Sequence, residues 1–334
     1  MLHISGFLAC ATVIFFAGKR LAHYGDLLAE KTGMSRGWIG LILMASVTSL
    51  PELMVGISSS AIVKSADLAV GDIMGSSAFN LMILAVLDAF IPKQQPLFGI
   101  ASPNHMLNAG LGIILITLVG FALFLPQDYP VSPYIGLSSI IFVVVYFISI
   151  RMIYKNEQTH RSPFVLSEQE KEPGTPLSVR RIILWYALFA GVIILAALAL
   201  PYFANQIAED TGLGKSFVGT FFLAVSTSLP EIAVSIAAVR MGSIDLAVGN
   251  LLGSNIFNVL ILAIDDLVYP NGLILKDASD FLLISVFSTI LMSAIVIIGL
   301  SFRAKGKRYF LAWDAAAIFL IYIVNLLFLY HFSS

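Results

Sequence analysis

Long apolar runs separated by short polar interruptions fill this chain, and the runs have the length that a bilayer crossing requires, about 20 residues each. Ten are legible, at about 4–18, 37–63, 67–91, 106–126, 132–150, 180–203, 216–239, 244–268, 279–302 and 309–330, the first of them short. The pattern predicts an all-α membrane protein of ten transmembrane helices. One polar stretch stands apart, "YKNEQTHRSPFVLSEQEKEPGTPLSVRR" at 154–181. It has little hydrophobic periodicity and reads as a flexible cytoplasmic linker, too short for a folded domain. It separates five spans (1–153) from five (182–334).

Two polar interruptions fall inside apolar runs, and they are the same: "TSLPE" at 48–52 and at 227–231. Around them the halves align. "ASVTSLPELMVGISSS" from Ala45 matches "AVSTSLPEIAVSIAAV" from Ala224, and "DLAVGDIMGSSAFNLMIL" from Asp67 matches "DLAVGNLLGSNIFNVLIL" from Asp245. The offset is 179 residues at Glu52/Glu231 and 178 at Asn80/Asn258. This is an internal duplication, with repeats at about 37–91 and 216–268. Because five spans is an odd number, the second copy enters the membrane from the opposite face. Such inverted-topology repeats are a common plan of secondary transporters, with sites near the midplane built from interrupted helices.

Charge sets the orientation. Sixteen of the nineteen basic residues fall in alternate loops on one side, leaving Lys64, Lys215 and Lys276 on the other. Positive-inside orientation then places both termini outside and the linker in the cytoplasm, as expected of a protein of the cell (inner) membrane. No basic segment precedes the first apolar run, so it does not read as a cleaved signal peptide. Composition agrees: 58% of residues are hydrophobic, 12% are charged and the mean hydropathy is +0.93, against about 25% charged in soluble domains. The single cysteine, Cys10, excludes an internal disulfide and a cysteine-based metal site. The five histidines are scattered near ends and loops. No zinc-protease signature, nucleotide loop or nucleophile elbow is present, so neither an enzyme nor a cofactor is expected. A net charge of −1 singles out no partner. Inorganic cations and the lipid bilayer are the partners implied; nucleic acid and protein partners are not.

The repeated motif carries the candidate chemistry. Proline lacks the backbone donor for the carbonyl four residues earlier, so Pro51 frees that of Val47 and Pro230 that of Ser226. In hydrocarbon an unsatisfied backbone group costs several kcal/mol unless it lines a polar cavity. Thr48, Ser49 and Glu52 share one helix face by their spacing, as do Thr227, Ser228 and Glu231. In the following span paired glycines permit close helix approach, and Ser76 and Asn80, or Ser254 and Asn258, stand four apart. Every one of these groups is an oxygen donor, the ligand set of hard cations such as Ca2+ and Na+. Carboxylates inside a membrane are costly and mark function. Two broken helices running in opposite directions would bring Glu52 and Glu231 to one central site, where a cation neutralises both. Without it the carboxylates repel, so an empty carrier closes reluctantly and moves mainly when loaded, which is antiport.

Further acids are secondary candidates for a proton or cation site near a mouth. Asp72 stands where the second copy has Asn250, and Asp88 is mirrored by Asp266, which has Asp265 beside it. Helix capping or an interface position is the competing reading for them. Asp67 and Asp245 are expected to be N-caps.

"TSLPE" twice, each followed by a G-(D/N)-x-x-G-S-x-x-x-N span, resembles the α-repeats of the cation/calcium exchanger superfamily, and most of all its sodium/calcium exchanger branch of prokaryotic type. The resemblance implies Ca2+ exchange, most often for Na+, by alternating access. It also implies a cation-binding set of Thr48, Ser49, Glu52, Ser76 and Asn80 with Thr227, Ser228, Glu231, Ser254 and Asn258, joined by the backbone carbonyls of Ala45 and Ala224. Glu52, Glu231, Thr48 and Thr227 would form its metal-ligating centre, and the first and sixth spans would slide against the rest. Val47 and Ser226 replace the glycine that the family commonly has, which is expected to stiffen or narrow the passage. Asn at both 80 and 258 speaks against K+ co-transport. Three other readings stand beside Na+-driven exchange: proton-coupled exchange of Ca2+ or of another divalent such as Mg2+ or Mn2+, a cation channel, and a membrane-embedded hydrolase. The paired-Glu centre gives no sign of the weak serial sites that conduction requires, and no nucleophile–base pair is recognisable.

Overall fold

The first apolar run continues where its sequence turns polar. The computed structural model describes residues 2–92, 94–125, 130–132, 135–159, 177–211, 224–307 and 309–333, and in it helix α1 spans Leu2–Thr32. Ile14, Ala17, Leu21 and Leu28 recur at helical spacing and are buried, while Lys19, Arg20, His23 and Glu30 are exposed. One apolar stripe therefore carries the helix past its charged residues, and the short expected span 4–18 is corrected to a helix of 31 residues.

The longer helices that follow are α2 (Arg36–Val63), α3 (Ala66–Ala89), α4 (His105–Phe124), α5 (Leu137–Thr159), α6 (Val179–Thr211), α7 (Leu229–Arg240), α8 (Ile244–Val268), α9 (Leu282–Phe302) and α10 (Trp313–Ser333). Among the described residues, eight helices are long and apolar enough to cross a membrane, and a shorter apolar helix covers Trp313–Leu329. Of the expected span 216–239, residues 216–223 lie outside the described residues, as do residues 160–176 of the linker; α5 extends helically into the linker as far as Thr159.

Layering follows from which faces are apolar. Helices α3 and α8 are buried along nearly their whole length and form the centre of the bundle. α8 reaches the backbone of α2 because it lacks side chains there: a Cβ on Gly253 would stand 2.7 Å from Leu41 Cα and 2.9 Å from Ala45 Cβ. The helices around them expose large apolar side chains, among them Phe121, Phe147, Phe287 and Leu320, a surface suited to lipid. α1 packs along α6, where Tyr24 stacks on Trp185 and Phe189 at centroid distances of 6.2 and 5.8 Å.

Aspartates secure the ends of the central pair. Asp88 accepts the backbone N–H groups of Leu97 and Ala312, each at 2.8 Å, and pairs with the buried Lys307 at 3.1 Å. Asp266, its counterpart in the other half, accepts from Ile274 N at 2.8 Å, Gly136 N at 3.0 Å and Ser139 Oγ at 2.6 Å. Asp67 and Asp245 are not the caps expected of them. Ser65 caps α3 through Leu68 N, and Ser243 stands at the N-cap of α8. Asp67 instead accepts from Ser279 N at 2.6 Å, and Asp245 from Ser102 N at 2.7 Å, with His105 Nε2 at 3.1 Å.

Candidate functional site

The two "TSLPE" segments break their helices at the same point. Ser49 (φ −89°, ψ 8°) and Ser228 (φ −85°, ψ 5°) leave helical geometry just before Leu-Pro, and helix resumes at Leu50 and Leu229. The missing proline donor is the local cause. In α2 the break is bracketed by π-helical stretches, Gly40–Met44 and Ser58–Val63. Insertions of this kind recur at functional sites.

The breaks meet. Ser49 Oγ donates to Glu231 Oε1 at 3.2 Å, and Ser228 Oγ donates to Glu52 Oε1 at 3.3 Å. Each half thus holds the carboxylate of the other, and the two acids lie within electrostatic reach of each other. Ser254 Oγ adds a second donor to Glu231 Oε1 at 3.3 Å. Thr48 and Thr227 turn their hydroxyls back to the carbonyls of Ala45 (3.4 Å) and Ala224 (3.2 Å), and Thr48 also lies 3.3 Å from Asn250 Oδ1. Those two carbonyls keep their helical bonds from Ser49 N and Ser228 N.

The amides on α3 and α8 are oriented from outside the predicted set. Asn80 Nδ2 donates to Asn255 Oδ1 at 3.0 Å, and Asn258 Nδ2 donates to Ser77 Oγ at 3.1 Å. Asn255 in turn donates to the Ser77 carbonyl at 3.1 Å, and Asn250 to Ser235 Oγ at 3.2 Å. With the amino groups occupied, the amide oxygens of Asn80 and Asn258 are left without donors, as are Glu52 Oε2, Glu231 Oε2 and Ser76 Oγ. All twelve predicted cation-binding residues are buried. Five acceptor oxygens with no donor are costly to hold inside a protein. Two carboxylates, two amide oxygens and a hydroxyl are also what a hard cation binds.

Sequence reasoning missed Ser77, Asn255, Asn250 and Ser235 as orienting partners. The signal was there for the first two, polar residues paired by the repeat in otherwise apolar helices. The secondary acids divide. Asp88 and Asp266 have their oxygens committed to the backbone donors described above, at helix ends. Asp72 is buried with neither oxygen bonded, and so is Asp265, the neighbour passed over in favour of Asp266. Seven residues past Asn258, Asp265 falls on the same helix face. Val47 packs against the core and Ser226 is buried.

Comparison with known proteins follows the same residues. The profile of the family described as "Sodium/calcium exchanger protein" matches residues 2–155 and 181–331. The chain is 29% identical over 338 residues to the sodium/calcium exchanger MaX1 of Methanosarcina acetivorans, with 91% of each chain covered. It is 26% identical over 331 residues to the Ca(2+)/H(+) antiporter ChaA of Bacillus subtilis, covering 92% of this chain and 89% of the relative. A solved structure of the sodium-calcium exchanger NCX_Mj shares the fold, with a TM-score of 0.75 over 98% of both chains at 20% identity.

Proposed function

This chain belongs to the sodium/calcium exchanger family, and on that premise we propose that it exchanges Ca2+ for Na+ by alternating access at a site built around Glu52 and Glu231. The observation that carries this is the reciprocal pair Ser49–Glu231 and Ser228–Glu52, together with five buried oxygens of the repeated motifs that have no donor. The reciprocity supports two inverted five-helix halves, 1–153 and 182–334, joined by the cytoplasmic linker 154–181. In this reading ten spans lie in the cell membrane with both termini outside.

Each residue then has a part. The two carboxylates supply the charge that a divalent cation neutralises, with Thr48 and Thr227 beside them. Ser76, Asn80, Ser254 and Asn258 complete an oxygen cage, with the hydroxyls of Ser49 and Ser228 holding the carboxylates in place. The carbonyls of Ala45 and Ala224 extend the cage toward its ends. Ca2+ and Na+ compete for the same oxygens, so loading one displaces the other. An empty cage leaves two carboxyl groups within electrostatic reach of each other in low dielectric, which holds back the return of an unloaded carrier and couples the two fluxes.

A second reading, exchange driven by protons, is favoured by the likeness to the antiporter of Bacillus subtilis and by the unpartnered acids Asp72 and Asp265. Proteoliposomes separate the two. 45Ca2+ uptake should require an opposing Na+ gradient and vanish in Glu52→Gln and in Glu231→Gln. Uptake that follows a pH gradient and ignores Na+ would replace Na+ coupling by proton coupling, and flux without any counter-ion would make the protein a channel.

A further inference from the structure

Three departures from the internal repeat meet at one place beside the central site. Where the second half has Ser235, the first has Gly56; where it has Asn250, the first has Asp72; and Asp265 stands opposite Leu87. In the second half Asn250 Nδ2 is satisfied by Ser235 Oγ at 3.2 Å. The first half has removed that hydroxyl, and a carboxylate fills the room: a Cβ on Gly56 would stand 2.6 Å from Asp265 Oδ1. Asp72 lies within electrostatic reach of both Asp265 and Glu52. All four carboxylate oxygens of Asp72 and Asp265 lack a hydrogen-bond partner, although both side chains are at least 98% buried. Ser60 Oγ, one turn beyond Gly56 on α2, is buried and unpartnered as well.

Chance substitution in an apolar bundle would not converge so. An unpaired buried carboxyl is costly, and a repeat that satisfies this position with Ser and Asn in one half has an easy neutral solution for the other. Resting on the reading of a central cation site, we infer that Asp72 and Asp265 form a second, asymmetric station for a hard cation, one helical turn from Glu52 toward the end of the bundle opposite the linker. Gly56 is the residue that makes room for it. The station lies between the central cage and the connections at Lys64–Ser65 and 269–281. A cation arriving from that face would reach the Asp72–Asp265 carboxylates before Glu52, whereas on the linker side the matching repeat positions hold the neutral Asn250–Ser235 pair.

Equilibrium 45Ca2+ binding to the purified full-length chain tests this. Glu231→Gln weakens the central site from the half farther from Asp72. In that background residual Ca2+ binding should persist, and adding Asp72→Asn or Asp265→Asn should weaken it by about tenfold or more, since affinity follows the carboxylate count. Both replacements keep side-chain volume and lie on different helices, so agreement between them separates ligand loss from a folding defect. Gly56→Ser, which displaces the Asp265 carboxylate, should give the same loss. In vesicles, Asp265→Asn should raise the half-saturating Ca2+ several-fold when Ca2+ is presented on the face opposite the linker, and leave it unchanged from the linker face. No residual binding in Glu231→Gln, or residual binding that ignores both aspartates, overturns the inference. Wild-type binding in Glu231→Gln that is lost in Asp265→Asn would instead remove the central assignment and leave this station standing.

Discussion

Replacing Glu231 by Gln should have two effects of opposite sign, and the geometry sets both. Glu231 Oε1 accepts from Ser49 and Ser254, and Oε2 has no donor. The amide oxygen of Gln keeps the two hydroxyl bonds, while the substitution removes one of two buried charges that lie within electrostatic reach of each other. Repulsion between two buried like charges is on the order of a few kcal/mol at an effective dielectric near 20, so the cation-free protein should melt no lower than wild type. Calcium binding should fall in the other direction. Loss of one of two carboxylates, taken at about 3 kcal/mol, weakens affinity on the order of 100-fold. At a Ca2+ concentration of about 100 times the wild-type Kd, the ion stabilises wild type by ~2.7 kcal/mol and the variant by only ~0.4 kcal/mol. Thermal melting of the detergent-solubilised chain across a Ca2+ titration reads both numbers. A wild-type Ca2+ shift in Glu231→Gln would refute the reasoning, as would a cation-free melt lowered as far as in Glu231→Ala, which would make the carboxylate a structural acceptor only.

Three other outcomes follow from the same contacts. Ser49→Ala and Ser228→Ala each remove one donor to a glutamate of the opposite half, so Ca2+ binding should weaken by similar factors, about fivefold for ~1 kcal/mol; a gap of more than tenfold between them would break the reciprocity. Gly253→Ala forces a Cβ to within 2.7 Å of Leu41 Cα and should cost 1–3 kcal/mol, roughly the cost of overpacking, while Gly110→Ala, which meets nothing within 4 Å, should be neutral or slightly stabilising by melting temperature. Asp88→Asn removes the carboxylate paired with the buried Lys307 and leaves its ammonium only the carbonyls of Asp88 and Ile91, so it should destabilise by roughly 3 kcal/mol, more than Asp266→Asn, whose partners are uncharged, at about 1–2 kcal/mol; equal melting temperatures would contradict the ion pair.

Much of the candidate site was legible because a duplicated polar motif in an apolar chain has few explanations. Thr48, Ser49 and Glu52 share a face by spacing alone, and the Pro that follows Leu50 marks where the helix must open. What spacing could not say is which oxygens would be free. Asn80 and Asn258 present their oxygens because Asn255 and Ser77 hold their amino groups, contacts between positions some 175 to 181 residues apart. The adjacent acids Asp265 and Asp266 show the same limit. They differ by about 100° around one helix, enough to commit one to Ile274, Gly136 and Ser139 while the other stands beside Gly56 with nothing to bond.

From the sequence alone came the membrane setting, the duplication, the broken helices and the oxygen chemistry, since apolar run length, repeat register and residue type are local properties of the chain. Helix α1 was underestimated because its stripe outlasts its mean hydropathy, and only its packing on α6 shows that. Pairing of each glutamate with the opposite half's serine, the orientation of the amides and the asymmetry around Gly56 belong to the tertiary structure. They depend on how closely α2, α3 and α8 approach, and that separation is set by side chains meeting across helices, which no single segment encodes.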